Sequence, residues 1–314
     1  MSLIDILFDD FNRPDVPGAA VLVARDGEVR LARGYGLANL ETRAPCAPET
    51  NFRLASVTKQ FTALCVLLLA ARGKLSLDDE LPRFFPGFHR VTIRQLLTHT
   101  SGLPDYEELI PADTTAPVKD RDVLELLRGR ERTYFPPGAR FRYSNSGYAL
   151  LALVVEAVSG MTFAEFLRRH VFAPLQMNNT VAYEAGVSDV PRRAMGYTRR
   201  GDVFELTDQS LTSAVLGDGG IYSSVADLFK WDQALYTEKL IGQSWLRQAF
   251  TDWGHGYGFG WFVEAGRLWH HGETCGFTTR IERFPDKRLS VIILANRREA
   301  QLSGIARKLA NFAP

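Results

Sequence analysis

Both ends of the chain read as paired β-strands, and the long stretch between them does not. Near the N-terminus, GAAVLVARDGEVRLARGYG (18–36) holds two β-type runs on either side of Asp26-Gly27, a dipeptide that signals a two-residue hairpin loop. Near the C-terminus, GFTTRIERFPDKRLSVIILANR (276–297) repeats the plan. A strand leads to a turn at Pro285-Asp286, a second strand covers Leu289 to Ala295, and a helix is expected from about Glu299 to Phe312. From about residue 60 to 215 the pattern is helical instead, as in DVLELLRGR and GYALLALVVEAVSG, with Pro- and Gly-containing loops between. Strands from the two ends share a sheet only if the middle loops out as an insertion. The expected fold is an α/β (α+β) sandwich. Its antiparallel sheet is built from N- and C-terminal strands and flanked by helices, and a mostly helical lobe is inserted. Residues 1–60 and 216–314 would form the sandwich lobe and 61–215 the helical one, with a small-molecule cleft between them.

A buried centre is expected for the stretch FRLASVTKQFTALCVLLLAARGK (52–74), where Ser56 and Lys59 stand just ahead of an apolar run. Residues three apart on a helix share a face, with Cβ atoms roughly 5–6 Å apart, so a lysine amine reaches the serine oxygen. A helix N-terminus adds positive potential and free N–H groups, which favour a developing oxyanion and disfavour an ammonium, as burial also does. Lys59 is then poised as a base for a Ser56 nucleophile. Serine is also a common N-cap, and roughly one S-x-x-K occurs by chance in a chain this long. The near all-round apolar helix that follows is what singles this one out, because rigid buried elements position chemistry well.

Two more short motifs carry polar groups. In RYSNSGYAL, Tyr143 and Asn145 sit in a loop ahead of the second apolar helix. A phenol there relays a proton and an amide holds a substrate carbonyl or the lysine; the structural alternative is an N-cap serine, Ser144, beside a packed tyrosine. In LWHHGETCGFTTR, His270-His271-Gly272 is expected to open the strand that begins the C-terminal hairpin. Adjacent histidines on a strand point to opposite faces, so the pair is a poor chelator. His270 is assigned to the cleft, to donate to a carboxylate or assist proton transfer. His271 is assigned to the surface or to packing, and Gly272 permits close approach.

Composition removes other classes. With 37 Lys and Arg against 36 Asp and Glu, the net charge of +1 gives no reason to expect nucleic acid or an anionic membrane as partner. The longest apolar run, Phe61 to Ala71, is too short to span a bilayer. Cys46, Cys65 and Cys275 are too scattered for a disulfide framework or a zinc site, and no sign of a metal or organic cofactor is present. The opening MSLIDILFDDFNRPD reads as an amphipathic helix rather than a signal peptide, which makes the cytoplasm the expected location.

The three motifs in this order resemble the serine β-lactamase and penicillin-binding protein superfamily, with its S-x-x-K, S-D-N and K-T-G signatures. Tyr-x-Asn and His-x-Gly, together with LLTHTSGLPDY, FPPGARFRYSNSGYALLALVVEAVSG, GDGGIYSSVADLFKW and YGFGWFV, are similar to the class C β-lactamase-like branch. That branch includes D-Ala-D-Ala carboxypeptidases, D-aminopeptidases and family VIII carboxylesterases. The resemblance implies Ser56 as the acylated nucleophile and Lys59 and Tyr143 as partners in base and acid work. It implies substrate binding by Asn145, by His270 in place of the K-T-G lysine, and by Gly272. The N–H groups of Ser56 and Glu273 would form the oxyanion hole. The substrate is expected to be a small-molecule ester, amide or β-lactam. The alternatives it leaves open are a D-Ala-D-Ala carboxypeptidase, a β-lactamase, or a sensor that acylates and deacylates slowly. Histidine for lysine in the third motif and a carboxylate at Glu273 both argue against efficient recognition of penicillin carboxylates.

Overall fold

The computed structural model describes residues 3–130 and 132–312. Its main sheet has six antiparallel strands drawn from the two ends of the chain: β1 (Ala19–Arg25), β2 (Glu28–Tyr35), β3 (Phe262–Glu264), β4 (Arg267–Thr274), β5 (Phe277–Phe284) and β6 (Leu289–Ala295), in the order β3-β4-β5-β6-β1-β2. The ends meet where β1 pairs with β6, Ala19 opposite Ala295 and Arg25 opposite Leu289. Asp26 and Gly27 both have positive φ, 54° and 82°, the geometry a two-residue primed turn demands. The turn after β5 ends at Arg288, also left-handed, whose carbonyl accepts from the Asp26 N–H at 2.9 Å and so ties the two hairpin tips together.

Strand alternation sets the layers. Val21, Val23, Val291 and Ile293 face outward onto Phe8 and Phe11, just beyond the short α1 (Leu3–Leu7), and onto Leu302, Ala306 and Leu309 of the C-terminal helix Leu302–Phe312. That last helix begins three residues later than its sequence pattern suggests. Ala20, Leu22, Ile292 and Leu294 face the other way, into the larger core. Helix α2 (Lys59–Ala71) runs through that core, with every residue from Lys59 to Ala70 buried. Helix α3 (Asn145–Ser159) packs against it, started by a Ser144 cap and stopped by left-handed Gly160. The residues between α2 and β3 otherwise supply short helices and short strands, among them Ile221–Ser223, which pairs with Phe52–Arg53 and brings two distant segments to the same place. No single helix among the described residues is long and apolar enough to cross a membrane.

Candidate active site

A small cleft of about 60 Å³ opens beside Ser56, walled by Arg53, Glu107, Asn145, Asp218, Glu273 and Thr274 among others. Ser56 lies on a 3₁₀ turn, Ala55–Thr58, and the α-helix proper starts at Lys59. Ala55 holds φ at +49°, a left-handed conformation that a non-glycine residue adopts only under constraint, so the backbone bends sharply to present Ser56. The Ser56 N–H belongs to the first turn, where backbone donors have no partner within the helix.

Lys59 is fully buried, and its Nζ donates to Ser56 Oγ at 3.1 Å, Asn145 Oδ1 at 2.8 Å and the Asp218 carbonyl at 2.9 Å. Its hydrogen bonds thus go to neutral oxygens, with no direct carboxylate among them. Burial pulls its pKa down to about 8, against the opposing pull of Asp218, Glu107 and Asp105. At pH 8 about half of such amines carry no proton. Tyr143 stands over the same amine, Nζ lying 5.0 Å from its ring centroid. Its buried hydroxyl completes no hydrogen bond of standard geometry, and the polar group that acts on it most is the Ser56 hydroxyl. Burial raises the phenol well above its ordinary pKa, so it stays protonated. Asn145, at the start of α3, spends its carbonyl on Lys59 and its amide on Glu107 Oε1 at 3.2 Å.

The third motif differs from expectation. His270 to Gly272 do not open the C-terminal hairpin. They lie within β4, a separate strand that pairs with β5, Gly272 opposite Thr279. His270 is fully buried and is not on the cleft wall. Its Nδ1 donates to the His271 carbonyl at 2.7 Å and its Nε2 accepts from the Tyr257 hydroxyl at 3.0 Å. Burial, then the Lys59 charge, hold it well below the usual histidine range, so it is a neutral ring with both nitrogens occupied. That leaves nothing to offer a substrate carboxylate, and the role assigned to it from sequence gives way to one of packing. His271 is exposed, on the opposite face. Glu273 reaches the cleft rim and lies 3.4 Å from Arg298, both about half exposed.

Gly272 carries the close approach. A Cβ there would stand 2.2 Å from the Leu54 carbonyl and 2.5 Å from Thr279 Oγ1, and Thr279 Oγ1 itself donates to the Leu54 carbonyl at 2.7 Å. Gly272→Ala is expected to cost about 1–3 kcal/mol through overpacking. It should also lower kcat, because β4 must move off the turn that carries Ser56. Urea denaturation and turnover of a p-nitrophenyl ester measure the two effects.

Some residues escaped the sequence reading, His99 first among them. His99 is buried, with φ at +57°, and its Nδ1 accepts from the Ser144 N–H at 3.0 Å, between Tyr143 and Asn145. Its ring packs on Tyr143 at 4.2 Å. The signal was within LLTHTSGLPDY, where a histidine breaks into a helical run, but its partner is 45 residues away.

A family model described as Beta-lactamase matches residues 4–312. Penicillin-binding protein 4* of Bacillus subtilis (strain 168) is 34% identical over 323 residues, covering 94% of this chain and 72% of that protein. Protein flp of Staphylococcus aureus (strain MW2) is 28% identical; 93% of this chain is covered, but only 62% of that longer protein. Among solved structures, a penicillin binding protein from Bacillus halodurans superposes with a TM-score of 0.87 at 28% identity, over 98% of this chain and 100% of that one. The D-amino acid amidase of Ochrobactrum anthropi SV3 reaches 0.82 at 24% identity, over 98% and 95%, a likeness of fold alone.

Proposed function

This chain belongs to the Beta-lactamase family, and from that premise we propose that it is a serine hydrolase that cleaves small esters or amides through an acyl-enzyme on Ser56. The observation that carries the proposal is the buried Lys59 amine, hydrogen-bonded to Ser56 Oγ and to neutral oxygens only. In its unprotonated fraction the amine takes the Ser56 proton as Oγ attacks the substrate carbonyl. The backbone at Ser56 and Glu273 receives the oxyanion. The protonated Tyr143 hydroxyl, free of other bonds, delivers a proton to the leaving group. The Lys59 ammonium passes its proton to the Tyr143 phenolate, which restores both groups; water then enters, and Lys59 acts as base again to release the acid and free Ser56. The reaction takes place in the cleft between residues 1–60 with 216–314 and residues 61–215.

The walls speak for the substrate's charge. Glu107, Asp218 and Glu273 bring three carboxylates to the cleft against the one guanidinium of Arg53, which already donates to the Ser213 carbonyl. His270 adds no cation. Lys59 and Arg298 offset part of this charge, but nothing in these walls favours an anionic β-lactam over a neutral ester, while an ammonium beside the scissile carbonyl can pair with Glu107. The expected result is a higher kcat/KM for p-nitrophenyl butyrate than for nitrocefin at pH 7.5. Glu107→Gln, which keeps an acceptor for Asn145, should raise KM for a D-amino-acid p-nitroanilide roughly three- to tenfold, the size of a partly solvated charge-assisted contact. KM for the neutral ester should hold within about twofold. Faster turnover of nitrocefin than of the ester would assign the chain to β-lactam hydrolysis. One equivalent of product without turnover on every substrate would make it an acylated sensor.

A further inference from the structure

The short turn Leu216–Gly219 is held from three sides. Its Asp218 carbonyl accepts from Lys59 Nζ at 2.9 Å, and its Gly217 carbonyl accepts from Thr62 Oγ1, about one turn further along α2, at 2.7 Å. From behind, the buried Asp120 carboxylate accepts two of its N–H groups, Leu216 at 2.8 Å and Gly217 at 2.9 Å. Gly217 has no room to move: a Cβ there would stand 2.3 Å from the Tyr148 carbonyl. The Asp218 side chain is buried on the cleft wall and takes a hydrogen bond from the Tyr106 hydroxyl at 3.1 Å. The Tyr106 N–H in turn donates to Ser146 Oγ at 2.8 Å, next to Asn145, the other residue that grips Lys59.

We infer that Asp218 is a positioning residue for the lysine base: the turn it sits in, clamped by Asp120, fixes Lys59 Nζ between Ser56 and Asn145, and its carboxylate supplies the counter-charge against which that amine titrates. The inference rests on the reading of Lys59 as base. Around this pair stand Arg53 on the strand before Ser56, Asp105, Tyr106 and Glu107 on the next loop, Tyr143 and Tyr148 at α3, His99 and His270 across the aromatic floor, and Asp120 behind. Of the charges opposing the fall in the Lys59 pKa, Asp218 is the largest. Burial raises Asp218 itself to about 6, so above that pH it is ionised and retains the proton on the amine.

The sign follows. A base works unprotonated, so kcat/KM should rise with pH through the Lys59 pKa, and removing the Asp218 charge lets the amine lose its proton at lower pH. Asp218→Asn keeps the main-chain carbonyl and an acceptor for Tyr106. Its acid limb in kcat/KM for p-nitrophenyl butyrate is expected to move down by about one pH unit, as loss of a near counter-charge requires. Tyr106→Phe, which leaves the carboxylate without its donor and so easier to protonate, should move the limb the same way by less. A purely structural role would lower kcat at every pH and leave the limb where it is, and that result in both variants overturns the inference. Loss of all Ser56-dependent turnover in the unsubstituted protein would instead overturn the hydrolase reading, and this inference with it.

Discussion

Ser56→Ala is expected to lower kcat by about 10⁴–10⁶, the range seen when a nucleophile acting as part of a catalytic unit is removed. The substitution deletes one oxygen from a partly exposed position, so the fold and the cleft walls should survive it. Ser56 Oγ combines a position on the left-handed bend at Ala55, an amine at 3.1 Å and a free face on the cleft. Without it, Lys59 retains Asn145 and the Asp218 carbonyl as partners, so the amine stays in place and has nothing to activate but water. KM for a neutral ester should therefore change little while kcat collapses. Steady-state kinetics with p-nitrophenyl butyrate, at enzyme concentrations high enough to read the residual rate, give the number. A loss below about tenfold would mean that the chemistry runs through another group.

The second large effect belongs to Lys59 and Tyr143. Lys59→Ala and Tyr143→Phe are each expected to lower kcat by about 10²–10⁴, typical of a lost general base or acid. The double variant should fall little further than the worse single one, because the two groups move one proton in sequence. The proposed mechanism divides their duties more sharply than the sequence reading did. Lys59, with a pKa near 8, has a usable unprotonated fraction. Tyr143, held far above its ordinary value by burial, stays protonated at neutral pH, the form that the proposed donor role needs. The wild-type kcat/KM profile should thus climb with pH through about 8, and Tyr143→Phe should lower the plateau without erasing that climb. Lys59→Ala should flatten it. Strictly additive losses would show two independent groups and remove the shared proton path.

How much of this was legible in the sequence follows from how local each signal is. The hairpin at Asp26-Gly27 declares itself because two adjacent residues must both take positive φ. The join between β1 and β6 was readable because both strands are apolar on both faces, and strands so buried need neighbours. Ser56, Lys59, Tyr143 and Asn145 converge as their motifs suggested. His270 misled because a sequence shows its place on a strand but not that Tyr257 and the His271 carbonyl occupy both ring nitrogens. His99, Asp120 and Asp218 went unread for the same reason. His99 and Asp120 work through backbone N–H partners 45, 96 and 97 residues away, and Asp218 through its own carbonyl, which the Lys59 amine reaches across 159 residues. The bend at Ala55 was equally silent, since alanine carries no preference for a left-handed conformation.

The central claim is a covalent one, and intact-mass analysis tests it most directly. Incubation with a fluorophosphonate, followed by peptide mapping, should give one adduct per chain, located at Ser56, and Ser56→Ala should take up none. An adduct that persists on another serine in Ser56→Ala, with turnover of the ester intact, would contradict the account.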